Sequence, residues 1–127
     1  MSVNAFLRKH APPGDEPFVR VDWIGPASYA QVGTTPAATG ATVSNGDPVA
    51  ASTLGVNMIT EILPAVSWSG NFLVLPIRAS ATKWILKWIS LVAGTCQGQS
   101  QTAYTEAVAG STLSNEHVKL HITLASG

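Results

Sequence analysis

The sequence predicts an all-β domain, an antiparallel β-sandwich or small barrel of about six to eight strands with an extended N-terminal arm. Three observations carry that prediction. Ordered segments alternate apolar and polar residues with a period of two. Clusters of Gly, Pro, Asn and Asp separate them. No segment combines a helical apolar stripe with helix start and stop signals.

Residues 1–17 read as an arm, because Pro12, Pro13, Gly14 and Pro17 forbid a continuous helix and favour an extended or turning path. Phe6 and Leu7 are its only large apolar pair. FVRVDWI, residues 18–24, sets Val19, Val21 and Trp23 on one face and Phe18, Arg20, Asp22 and Ile24 on the other, with Gly25-Pro26 as its stop. SYAQV, 28–32, reads as a short second strand. Residues 33–53 are nearly free of large apolar side chains and carry the turn signal Asn45-Gly46-Asp47-Pro48, so they read as a long loop.

VNMITEIL, 56–63, alternates again and ends at Pro64. WSGN, 68–71, reads as a turn into the strand NFLVLPI, 71–77, where Pro76 suits an edge or a bulge. HVKLHITL, 117–124, alternates throughout, with Val118, Leu120, Ile122 and Leu124 facing one way. The stretch 94–116 before it is small, polar and turn-rich, and reads as a second long loop. One domain therefore spans 18–127, preceded by the arm.

TKWILKWISLV, 82–92, has two readings. Coiled, it aligns Trp84, Ile85, Trp88, Ile89 and Val92 on one stripe; extended, it divides Trp84, Leu86 and Trp88 from Ile85, Ile89 and Leu91. Its β-branched and aromatic residues and its lack of an acidic first turn favour the strand. Apolar residues on both faces then imply a central strand, or one whose second face meets another protein.

Composition narrows the function classes. The 127 residues are 46% hydrophobic, as in a globular domain, but only 11% charged, against about a quarter in ordinary proteins. So lightly charged a surface suits packing against other protein. Seven basic residues balance seven acidic ones, which argues against nucleic acid as a partner. A single cysteine, Cys96, permits no intrachain disulfide. No apolar run resembles a signal peptide or a membrane span, so a soluble protein made in a cytoplasm, with no membrane partner, is expected.

Catalytic and metal motifs are not evident. His117 and His121 share a strand face but stand about 13 Å apart at roughly 3.3 Å per residue, too far to chelate one ion. There is no GxSxG elbow, no phosphate loop and no carboxylate cluster. The expectation is a protein that is not an enzyme, with no cofactor, no metal and an inert thiol at Cys96.

Three stretches carry a resemblance: the turn-rich segment Gly46 to Val56 (GDPVAASTLGV), the Lys- and aromatic-bearing strand KWILKWISLV, and the closing EAVAGSTLSNEHVKLHITL. Together they resemble the small β-rich structural proteins that tailed double-stranded DNA bacteriophages encode beside their major capsid protein. The match covers roughly residues 46–127; residues 1–45 fit only loosely, and 82–92 is richer in tryptophan than the pattern. The resemblance implies a decoration or cement protein on the capsid exterior, a homotrimer between capsomers that holds the expanded shell.

On that reading Trp23, Leu86, Trp88, Leu120 and Ile122 form the core. Trp68, Ile85 and Ile89 meet sister subunits. The arm, through Phe6, Leu7, Arg8, Pro12, Pro13 and Pro17, lies on the phage major capsid protein. The rival readings are a carbohydrate- or host-receptor-binding module of a virion spike, a tail-tube or connector subunit forming rings, and an enzyme of unfamiliar design.

Overall fold

The computed structural model describes residues 2–9, 18–32 and 45–125, with 2–9 and 125 described by their backbone. Its strands are β1 (Ser2–Lys9), β2 (Phe18–Ile24), β3 (Asp47–Ala50), β4 (Met58–Ile62), β5 (Ala65–Val66), β6 (Phe72–Ser80), β7 (Lys83–Ser90), β8 (Gly94–Cys96), β9 (Gln99–Gln101), β10 (Thr105–Glu106) and β11 (His117–Ala125). One 3-10 turn, Ala51–Leu54, follows β3. No helix among the described residues is long and apolar enough to cross a membrane.

Two antiparallel sheets form the sandwich. The first has the order β1-β2-β11-β4 and the second β10-β7-β6-β5, with β3 also paired to β7. Because β6 runs along nearly all of β7, β3 and β10 share the opposite edge of β7. The alternation read in the sequence sets which side chains turn inward. Val19, Val21, Trp23, Val118, Leu120 and Ile122 of the first sheet meet Val49, Phe72, Val74, Leu86 and Trp88 of the second. The five side chains assigned to the core, Trp23, Leu86, Trp88, Leu120 and Ile122, are all fully buried. Each stabilises the fold by about 1.5–3 kcal/mol before cavity effects.

Lys83–Ser90 is a strand, and its register explains its double-sided apolar character. Trp84, Leu86 and Trp88 face the core, while Ile85, Lys87 and Ile89 face outward between β6 and the β3/β10 edge. Pro76 lies on β6 beyond the two residues that pair with β5, on the stretch of edge that β5 leaves open.

Three expectations require correction. Ser2–Lys9 does not stand apart from the sandwich as an arm: it pairs with β2 from Ser2↔Ile24 to Lys9↔Phe18, so its backbone donors and acceptors are drawn into a ladder. Residues 28–32 form no strand. Tyr29 bonds the loop backbone at Ser111 and Gly110, and Ala30 accepts from Gly46, so the segment is held by loops. The two long loops also contain strands, β3 in one and β8, β9 and β10 in the other. The β8–β9 hairpin turns through Gln97 and Gly98, both at positive φ (53° and 80°), the pattern of a two-residue I′ turn.

Candidate functional site

The two sheets present unlike outer faces. On the first sheet the outward residues are Phe18, Arg20 and Asp22 of β2 and His117, Lys119, His121 and Thr123 of β11. Diagonal neighbours pair off across these strands. His121 stacks on Phe18 with ring centroids 4.4 Å apart. The His117 Nδ1 lies 3.3 Å from both Asp22 carboxylate oxygens, and its ring stacks on Trp68 at 5.3 Å. Along β2 and β11 this face is polar.

The second sheet differs. Its outward positions on β6 are Leu73, Leu75 and Ile77, all half-buried. Cross-strand pairs set Leu73 against Ile89 and Val66, Leu75 against Lys87, and Ile77 against Ile85. The result is a strip of aliphatic side chains, with Lys83 and Lys87 on the same face. Val66 is 50% exposed.

The residues assigned to subunit contact are therefore divided. Ile89 lies on the aliphatic strip. Trp68 is 64% exposed at the turn between β5 and β6, where its backbone N–H donates to the His117 carbonyl. Ile85 is corrected: it is fully buried within its own chain and offers no contact surface. The physical reason is Gly46, which lies against it so closely that an added Cβ would stand 2.4 Å from Ile85 Cγ2 and 2.8 Å from Val32 Cγ2. The loops around Val32 and Gly46 thus cap the outer face at this point.

Of the assigned arm residues, Phe6, Leu7 and Arg8 lie in β1, in register with Val21, Arg20 and Val19. Pro12, Pro13 and Pro17 lie outside the described residues. Leu73, Leu75 and Ile77 escaped the sequence reading, although NFLVLPI is apolar at both parities just as KWILKWISLV is. Tyr104, 79% exposed at φ 62°, carried no signal in the sequence.

At the end of the sandwich where β6 and β11 begin, a polar cluster locks the loops. Glu116 is buried and accepts hydrogen bonds from Ser69 Oγ (2.5 Å) and Gln97 Nε2 (2.6 Å). Ser67 and Ser69 also bond each other. These hydroxyls are committed to structure, and neither is bonded to His117. Burial, reinforced by the Glu116 charge, pushes the Cys96 thiol up from its ordinary value, which makes it a poorer nucleophile at neutral pH. Among the described residues no three His, Cys, Asp or Glu side chains group to hold a metal ion. The chemistry these surfaces offer is contact chemistry: aliphatic burial on one face, and ring stacking with hydrogen bonds on the other.

Comparison with known proteins adds no relative: no family model matches the chain, and no curated protein or solved structure does so.

Proposed function

We propose that this chain is a structural virion protein, a decoration or cement subunit that binds the outside of a tailed-phage capsid as a homotrimer and stiffens the expanded shell. The observation that carries the reading is the unlike pair of outer faces, one polar along β2 and β11, the other an aliphatic strip of Val66, Leu73, Leu75, Ile77 and Ile89. A strip of that kind on a chain with so few charges gains free energy when covered by protein. Contacts to sister subunits and to the major capsid protein need not be strong singly, because a subunit held at several points benefits from effective concentration. The resemblance of residues 46–127 to phage minor capsid proteins supports the same reading.

The test is binding to purified expanded shells beside light scattering of the free protein. Leu73→Asp and Ile89→Asp should leave the fold intact, reduce the trimer to monomer and lower shell occupancy. A wild-type protein that stays monomeric at high concentration and leaves shells bare sinks the proposal. A second reading, a glycan-binding module of a virion spike, is favoured by the exposed Trp68 indole backed by His117. It requires glycan-array binding by the isolated protein that Trp68→Ala abolishes.

A further inference from the structure

Asp47, the first residue of β3, has a fully buried carboxyl group wedged between the two sheets. Its Oδ2 accepts the indole N–H of Trp23 from the first sheet at 2.7 Å and that of Trp88 from the second at 3.3 Å. Among the described residues its Oδ1 has no partner. An ionised carboxylate has roughly four lone-pair sites to satisfy, and here only one oxygen is served, by two neutral donors. No cationic side chain among the described residues bonds to it. The ionised form is therefore the costly one, and the neutral acid the better fit.

Burial raises the Asp47 pKa by more than the two indole bonds and the positive charge of the chain's N-terminus lower it, and among the described residues the charged and titratable side chains around it do not relieve the cost. From the loop after β2, the Tyr29 hydroxyl faces the site and bonds Glu106 of β10, a second negative group. Lys83 and Lys87 of β7 alternate onto the outer face of their sheet. Arg20, Asp22, His117, Lys119 and His121 lie on the outer face of the other sheet. The element Asp47 anchors is slight: β3 contributes four residues to the edge of β7, and one of them, Pro48, has no N–H.

We propose that β3 is a proton-sensitive edge strand, seated on β7 between Trp23 and Trp88 while Asp47 is neutral and loosened from the Lys83–Leu86 edge when Asp47 gives up its proton. Opening hydrates the carboxylate, so ionisation favours the open form. The direction agrees with the effect of burial, which raises the Asp47 pKa from 3.8 to about 6.

The experiment is hydrogen exchange by mass spectrometry on the full chain and on Asp47→Asn, at about pH 5 and about pH 8, corrected for intrinsic exchange rates. In the wild type, opening of peptides covering 45–50 and 83–86 should be about tenfold rarer at the lower pH. In Asp47→Asn, which holds the indoles without a charge, the difference should vanish. Equal corrected exchange in the wild type at both pH values overturns the proposal, and that arm decides alone if the variant does not fold. So does a pH difference that persists in Asp47→Asn, or one equally large in peptides from β11, which lies in the other sheet.

Discussion

The Tyr29 hydroxyl donates to Glu106 Oε2 at 2.6 Å across a chain separation of 77 residues, and it also accepts the Trp88 backbone N–H at 3.1 Å. Glu106 takes a further bond from the Val32 N–H at 2.6 Å. One phenol thus joins the loop after β2, the centre of β7 and the short β10. Burial and the bond to Glu106 hold its hydroxyl un-ionised, far above the usual range for tyrosine.

Tyr29→Phe keeps the ring and removes those bonds, leaving a buried N–H of Trp88 without its acceptor. The expected loss is about 1–3 kcal/mol, read as a lower urea midpoint with an unchanged m-value. A midpoint within error of wild type would show that the hydroxyl is replaceable by water.

Asp47 should make the fold more stable in mild acid than at neutral pH. Asp47 binds a proton more tightly folded (about 6) than unfolded (3.8), so its favourable contribution is fully present below the unfolded value and lost as pH rises through the folded one. The fall amounts to roughly 3 kcal/mol between these limits. Denaturation midpoints measured through this range should decline in the wild type and flatten in Asp47→Asn.

Gly25→Ala should destabilise by about 1–3 kcal/mol or more. An added Cβ would meet the Leu113 carbonyl oxygen at 2.4 Å and Leu113 Cβ at 2.7 Å. The neighbouring backbone bonds Gly25 N–H to Glu116 O and Leu113 N–H to Pro26 O resist a shift. Thermal denaturation reads the effect directly.

The two faces of β11 should respond in opposite ways to truncation. Leu120→Ala empties a fully buried site and should cost about 2–5 kcal/mol, whereas Lys119→Ala, exposed next to it, should change stability by about 0.5 kcal/mol or less. Similar losses at both positions would contradict the burial pattern.

Of the four tryptophans, Trp23, Trp84 and Trp88 are buried and Trp68 is 64% exposed. Acrylamide should quench one component of the native fluorescence readily, and Trp68→Phe should remove that component while leaving stability nearly unchanged. A quenchable fraction that survives the substitution would mean another indole is open to solvent.

Strands whose side chains alternate over many residues were legible before folding. Phe18–Ile24, Phe72–Ser80, Lys83–Ser90 and His117–Ala125 lie where the period of two places them, and on β2, β7 and β11 the inward residues are those the pattern assigns, whereas β6 is apolar at both parities and the pattern assigns it no inward face. Among the strands that escaped, β8, β9 and β10 span only two or three residues of small and polar type. Such segments contain no periodicity to read; their pairing is selected by the Gln97-Gly98 turn and by the edge β7 offers.

By itself the sequence determined the class of fold, the inward faces of β2, β7 and β11 and the five central core side chains, because local alternation and turn chemistry are written in near neighbours. Only the tertiary structure decided that Ser2–Lys9 joins the first sheet, that Ile85 is hidden beneath Gly46 while Ile89 stays on the outer strip, and that Asp47 is drawn between two tryptophans. Those outcomes depend on residues from opposite sheets and remote loops meeting in space. The free energy of covering a side chain, or of leaving a carboxylate half-satisfied, is settled by what packs over it, which no local pattern encodes.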